Sequence, residues 1–188
     1  AMREISTYSF ISSGAIDTLG LDENDSRRKC IRILNPLGDE YSCLRTQLVT
    51  SMLTVISTNV SRKNESARLF EISKLFIPKE LPLKEQPDEK PALCIGLYGK
   101  DEDFFTLKGA VEDVFALFGI SPEYERSAEV YLHPGRQAKA VFEGNTVAVF
   151  GEIHPEISAK YGIDTRVYTA EISLDTLYSA RKPQPVYT

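Results

Sequence analysis

Short alternating apolar segments joined by turn signals constrain the fold of this sequence most. Segments 67–77 and 92–98 flank a charged, proline-rich connection, and segments 136–143 and 146–153 are joined by a Gly-Asn pair. Gly and Asn accept the positive φ that a two-residue hairpin requires. Strands joined by hairpins lie antiparallel, whereas parallel neighbours need a long crossover. The pattern predicts an α+β fold with a mostly antiparallel sheet.

Two longer segments have helical periodicity and supply the layer that flanks this sheet. Apolar residues recur every three or four positions over 46–62, with Thr46 as predicted N-cap, and over 106–118, which ends before Gly119. The remaining pattern predicts strands at 3–11, 31–34, 123–132 and 167–174 and short helices at 13–19, 155–160 and 175–180. The sheet is therefore expected between two main helices.

Length and charge limit the classes of protein. The chain has 188 residues and a formal net charge of -5, which predicts one domain at residues 3–180. The polar, proline-rich residues 181–188 predict a linker toward a further C-terminal domain. An acidic balance argues against an autonomous binder of nucleic acid or of an anionic membrane, since such binders need a basic surface.

Cysteine and histidine usage predicts little local chemistry. Cys30, Cys43 and Cys94 stand far apart in the sequence, which predicts free thiols in a reducing, cytoplasmic setting. Zinc needs three or four converging ligands, so His133 and His154, each followed by Pro, are expected to fix turns rather than to bind metal. No run of about 18 apolar residues occurs, so no transmembrane helix is predicted.

Six short motifs then occur in a fixed order. They are EISTYSFIS at 4–12, NPLGDEYSCLRT at 35–46, RLFEI at 68–72, LKG at 107–109, HPGR at 133–136 and GEIHP at 151–155. Together they resemble the catalytic-like core domain of bacterial phenylalanyl-tRNA synthetase β subunits over nearly the whole chain. The resemblance implies a class II synthetase-like fold, in which an antiparallel sheet is flanked by helices.

The resemblance also implies a role without catalysis. In active class II enzymes of this kind an Arg stands two residues before a Glu on one sheet strand and helps to hold the ATP phosphates. Here Leu69 precedes Glu71, and Arg68 is expected on the opposite face because side chains alternate along a strand. The strand-to-helix junction at 150–156 carries acids and no Arg.

The resemblance further implies partners. The family assembles as (αβ)₂, so we expect packing against a catalytic α subunit, with a second αβ pair in the assembly. ATP, Mg²⁺ and tRNA are expected to bind only in the whole enzyme, with weak or no tRNA binding by this domain and no cofactor or membrane contact. Candidates for the α-subunit contact lie on helix 46–62 and the segment before it: Pro36, Tyr41, Leu44, Arg45, Leu48 and Met52. Alternatively, these residues only pack the local core.

Two other functions remain open from the sequence. An active acyl-adenylate-forming ligase of the biotin or lipoate kind needs a cation in its pocket, and Lys74, Lys108 or Arg136 is available for that role. Direct tRNA binding has the local basic segments 27–29 and 62–63. For these basic segments the simpler interpretation is solvated loop and helix-end charge.

Overall fold

A twisted sheet organises residues 1–180, the part of the chain that the computed structural model describes. Within these residues seven strands pair in the order β1-β4-β5-β9-β8-β7-β6, and all neighbours are antiparallel except β1 and β4. In the same residues β2 and β3 form a separate two-stranded ribbon. The strands are β1 Arg3–Glu4, β2 Phe10–Ile11, β3 Cys43–Leu44, β4 Ala67–Ile77, β5 Asp88–Tyr98, β6 Glu123–Arg126, β7 Leu132–Phe142, β8 Asn145–Ile153 and β9 Val167–Ser173.

Helices cover both faces of the sheet, and each face has its own apolar cluster. Helix α2 packs on one face over Leu69 and Cys94, and helices α3 and α5 pack on the other over Leu93 and Ile95. The helices are α1 Ser13–Thr18, α2 Val49–Ser61, α3 Phe104–Phe118, α4 Pro155–Lys160 and α5 Leu174–Ala180, with 3-10 turns at Ser26–Arg28 and Asp39–Tyr41. The predicted α+β fold with a mostly antiparallel sheet is confirmed.

Helix α2 approaches the sheet closely at one glycine of β5. A Cβ at Gly96 would lie 2.6 Å from the Met52 sulfur and 3.1 Å from Cδ1 of Ile56. Both α2 side chains are completely buried. A residue without a side chain at position 96 is therefore what lets this helix lie flat on the sheet.

Two predicted strands at the start of the chain are wrong. Segment 3–11 divides between two sheets, because the Thr7 amide donates to the Glu71 carboxylate (3.1 Å) instead of to a neighbouring strand. Within residues 1–180, segment 31–34 makes one bridge, between Arg32 and Cys43. Both departures come from contacts with residues distant in the sequence.

Other boundaries move for similar reasons. Helix α2 starts later than predicted: Thr46 donates its hydroxyl to the Arg27 carbonyl (2.5 Å), and the Glu171 carboxylate accepts the Leu48 amide (2.6 Å) at the helix start. Strand β6 ends at Arg126 rather than at 132. Strand β5 starts before 92, because it pairs with the full length of β4.

Three smaller predictions concern the two histidines, a membrane-spanning helix and the C-terminal linker. The Nδ1 atoms of His133 and His154 accept the amides of Gly135 (3.1 Å) and Glu156 (3.3 Å), so both histidines fix turns as predicted. No helix in residues 1–180 is both long enough and apolar enough to cross a membrane. The predicted linker at 181–188 lies outside the described residues.

Candidate functional site

A buried ion pair lies on the sheet face beneath the start of α2. The Nη1 atom of Arg45 is 3.1 Å from Oε1 of Glu71, and both side chains are almost completely buried, at 0% and 2% exposure. Nη1 also donates to the Thr7 hydroxyl (2.8 Å), and Nε donates to the Lys74 carbonyl (3.2 Å). The remaining nitrogen donates to the Ser73 hydroxyl. This network satisfies the desolvated guanidinium, which would otherwise carry a large burial cost.

The same network engages Glu71, the acid of the Arg–Glu pattern that the resemblance relates to ATP binding. Glu71 and Leu69 are both buried on this face, whereas Arg68 is exposed on the other and pairs with Glu102 at 2.7 Å. The predicted side-chain directions on β4 are thus confirmed. Oε1 of Glu71 accepts the Thr7 amide and the Arg45 guanidinium, and Oε2 accepts the Thr7 hydroxyl, so both oxygens are hydrogen-bonded within the chain.

The acid at the end of β8, Glu152, is also partnered within the chain. Both oxygens of the buried Glu152 accept Nη1 of Arg136, at 3.2 and 3.0 Å. A Cβ at Gly151 would lie 2.5 Å from the Arg136 carbonyl oxygen, so the neighbouring strand crosses directly over this glycine. The junction is a packed strand end with an internal ion pair.

The cations that the alternative functions need are engaged with acids of this chain. Lys74 pairs with Glu89 (2.6 Å), and Lys108 pairs with Glu112 while lying 4.4 Å from the centroid of the Tyr124 ring. These lysines and Arg136 stand on β4, α3 and β7. They do not form one cationic pocket.

The basic segment 27–29 is largely neutralised. Arg27 pairs with Asp25 (2.6 Å) and Glu129 (2.9 Å), and Arg28 pairs with Asp17 (2.5 Å). Segment 62–63 is exposed at the end of α2. These contacts favour the interpretation of solvated surface charge.

Exposed and half-buried apolar side chains lie beside the β2–β3 ribbon. We call this the ribbon surface; it consists of Tyr8, Phe10, Leu34, Pro36, Leu37 and Tyr41. Leu34 and Leu37 are almost fully exposed, at 97% and 98%, and Tyr8 is 72% exposed. Ile33 and most of these side chains line a cleft of about 340 Å³. A second cleft of about 390 Å³ continues from Tyr8 to the outer side of α2 at Val55.

Local contacts hold the ribbon surface in shape. The rings of Tyr8 and Tyr41 meet edge to face, with centroids 5.6 Å apart and planes at 83°. Phe10 pairs with Leu44 across the ribbon. The Tyr41 amide donates to the Gly38 carbonyl (3.0 Å), which closes the turn after the exposed leucines. These contacts therefore hold the backbone that carries the apolar side chains in a defined conformation.

The predicted interface residues separate into two groups. Pro36 is exposed, while Tyr41 and Leu44 are half-buried, and these three remain candidates for a partner contact. Arg45, Leu48 and Met52 are fully buried within this chain, so the expectation that they reach a partner is corrected. Arg45 belongs to the ion pair, and the other two pack between α2 and the sheet.

Sequence reasoning missed most of the ribbon surface. Tyr8 and Phe10 alternate on one face of a segment that was expected to be an ordinary strand, and Leu34 and Leu37 flank the Asn-Pro turn. Apolar residues on both sides of a turn signal are the clue that was available. Turns lie at the surface, so leucines there are exposed unless another chain covers them.

Comparisons with known proteins agree with this architecture. The model of the family described as phenylalanyl tRNA synthetase beta chain CLM domain matches residues 1–174. The phenylalanine–tRNA ligase beta subunit of Clostridium tetani is 38% identical over 92% of this chain, and that of Clostridium acetobutylicum is 37% identical over 94%. In both cases the match spans only 22% of the relative's length.

A solved structure shares the fold at low sequence identity. A pyrrolysyl tRNA synthetase from Desulfitobacterium hafniense superposes with a TM-score of 0.73 and 17% identity, covering 96% of this chain and 63% of that one. This likeness confirms the predicted class II synthetase-like fold. The family match and the curated relatives confirm the resemblance found in the motifs. The chain therefore belongs to the family of phenylalanyl tRNA synthetase beta chain CLM domains.

Proposed function

We propose that this chain is a non-catalytic structural domain of a phenylalanine–tRNA ligase β subunit, and that the ribbon surface packs against the α subunit. The observation that carries the proposal is the near-complete exposure of Leu34 and Leu37, of which Leu37 lines one cleft together with Tyr8 and Tyr41. Contiguous exposed apolar side chains mark interaction sites, and tyrosine is enriched in protein interfaces. The α subunit is the partner that a ligase β subunit requires.

The state of the sheet face supports a role without catalysis. Formation of an acyl-adenylate needs cations directed at the phosphates, where charge develops in the transition state. On this face Arg45 is paired with Glu71, and Leu69 stands where the active enzymes have an Arg. Met52 fills the space above Gly96. We assign the binding of ATP and Mg²⁺, and the aminoacylation site, to the α subunit in the cytoplasm.

The remaining partners follow from the assembly. A second αβ pair and tRNA would contact the complex mainly through other parts, since this domain carries a net charge of -5 and its Arg27 and Arg28 are paired with acids. The relatives are several times longer than this chain, which leaves other domains for nucleic acid.

The interface is tested by co-purification. The variant Leu34→Asp/Leu37→Asp is made in the full-length β subunit and expressed with a tagged α subunit. Both side chains point into solvent, so we expect an unchanged circular dichroism spectrum and loss of most of the α–β complex. The matched control is Leu117→Asp on α3, which is 80% exposed on the other side of the sheet and should leave assembly intact. Stoichiometric recovery of the double variant would refute the assigned surface.

The ligase alternative has its own test. Titration of ATP–Mg²⁺ into the isolated chain by calorimetry should give no saturable heat, because the candidate cations are each paired with an acid. Saturable micromolar binding would overturn the non-catalytic assignment and favour an acyl-adenylate-forming enzyme.

A further inference from the structure

Two of the three cysteines adjoin each other beneath the β2–β3 ribbon. The backbone of segment 30–33 runs antiparallel to β3, with a bridge between Arg32 and Cys43 and a hydrogen bond from the Leu44 amide to the Ile31 carbonyl (2.9 Å). Cys30 is two residues from Arg32 and therefore lies on the same side of the pair as Cys43, diagonally across from it, so the two thiols adjoin each other. They are 13 residues apart in the sequence and are brought together by the fold.

The two thiols have different surroundings. Cys43 is completely buried, and its Sγ donates to the Ile11 carbonyl at 3.5 Å. Cys30 is half-buried and accessible from solvent. The adjoining Cys43 thiol, aided by the nearby Arg32 charge, lowers the pKa of Cys30 to about 7 against the opposing effect of burial. The adjoining Cys30 thiol, together with burial, raises the pKa of Cys43.

We propose that Cys30 is an oxidation site for peroxides and that Cys43 is its resolving partner, so that the pair forms a reversible disulfide. The accessible thiolate is the nucleophile in such chemistry, and a neighbouring buried thiol that completes a disulfide is the usual arrangement of a redox-sensing pair. In a reducing compartment such a disulfide is transient.

Peroxide oxidises the pair by two electrons. The Cys30 thiolate attacks one oxygen of hydrogen peroxide, the O–O bond breaks, and the leaving hydroxide takes a proton to become water. The sulfur is now a sulfenic acid. Cys43 loses its proton and attacks this sulfur, the S–O bond breaks, and the second oxygen leaves as water. Two molecules of a small thiol such as glutathione return the pair to its reduced form and are themselves joined by a disulfide.

The third cysteine provides an internal comparison. Cys94 lies on β5 and is completely buried, and burial raises the pKa of its thiol well above the ordinary value. No thiol–thiol hydrogen bond is made by Cys94 within residues 1–180. Reaction at Cys94 therefore measures general exposure of the core, whereas reaction at Cys30 measures the proposed site.

Peptide mapping tests the site in the full-length β subunit. The protein is treated with hydrogen peroxide, blocked with iodoacetamide and digested with trypsin without reductant. Cleavage after Lys and Arg separates Cys30 in peptide 30–32 from Cys43 in peptide 33–45 and leaves Cys94 in peptide 85–100. We expect the first two peptides to be joined with loss of two hydrogen atoms, and to separate after glutathione treatment, while the Cys94 peptide stays unjoined.

Variants distinguish the two thiols. In Cys43→Ala the sulfenic acid has no resolving partner, so dimedone should label Cys30; in Cys30→Ser neither disulfide nor label should form. Cys94→Ala is the control and should leave the disulfide unchanged. Unjoined peptides after peroxide treatment of the wild-type protein, or oxidation of Cys94 as fast as Cys30, would overturn the proposal. The wild-type mapping needs no variant, so a folding failure in Cys43→Ala leaves the test intact.

Discussion

Replacing Arg45 by methionine should strongly destabilise this protein without touching its surface. The guanidinium is fully buried 3.1 Å from Glu71, and it also donates to Thr7, Ser73 and the carbonyl of Lys74. Methionine fills similar space but leaves the Glu71 carboxylate buried without a cation. Removing one partner of a buried pair costs about 3–5 kcal/mol, which is a large part of the roughly 5–15 kcal/mol that stabilises a typical domain.

Urea unfolding followed by circular dichroism measures this loss, since the free energy of unfolding falls linearly with denaturant concentration. Arg45→Met/Glu71→Leu should recover most of the loss, because a pair of apolar residues replaces a buried pair of charges. Lys74→Met is the control: its pair with Glu89 is exposed, and such pairs contribute about 0–1 kcal/mol. If Arg45→Met lowers the free energy of unfolding by no more than Lys74→Met does, burial does not make the Arg45–Glu71 pair important for stability.

Three further predictions concern Gly96 on β5, Glu171 on β9 and Asp103 at the start of α3. Gly96→Ala should cost about 1–3 kcal/mol, because its Cβ would lie 2.6 Å from the Met52 sulfur, and a double-mutant cycle with Met52→Ala in urea should show non-additive losses. Burial raises the pKa of Glu171, so its charged form is disfavoured in the folded state. Glu171→Gln should therefore resist urea better than the wild-type protein at pH 7. This advantage should vanish as the pH falls below 4.5, the ordinary pKa of a glutamate, because the wild-type side chain is then neutral in both states. The Thr106 amide and hydroxyl lower the pKa of Asp103 at the α3 N-cap, so Asp103→Ala should lower the melting temperature at neutral pH. The difference should shrink as the pH falls below 3.8 and disappear once it has passed through the lowered pKa. Equal effects at all pH values in either titration would contradict the assigned ionisation.

Much of the fold was predictable because it depends on local signals. The β7–β8 hairpin follows from a turn pair flanked by alternating segments, and the end of α3 follows from Gly119. The N-terminal strand failed because Thr7 is held by Glu71, 64 residues away in the sequence. A pattern among neighbouring residues cannot indicate a hydrogen-bond partner that lies so far away in the sequence.

The candidate site was only partly predictable for a similar reason. The wide apolar face of α2 indicated burial but not which side met the sheet, so Leu48 and Met52 were assigned to a partner when they pack inside the chain. The turn at Pro36 is a candidate surface from the sequence, and its exposure leaves it a candidate. Its apolar neighbours Leu34 and Leu37 became visible only when their exposure was known.

The sequence by itself determined the α+β class, the family and the direction of the side chains on β4. These depend on alternation, turn residues and ordered motifs, all of which are encoded locally. Only the tertiary structure decided that Arg45 pairs with Glu71, that Cys30 adjoins Cys43, and that the ribbon surface is exposed. The physical reason is that burial and ion pairing depend on which distant segments the fold brings into contact.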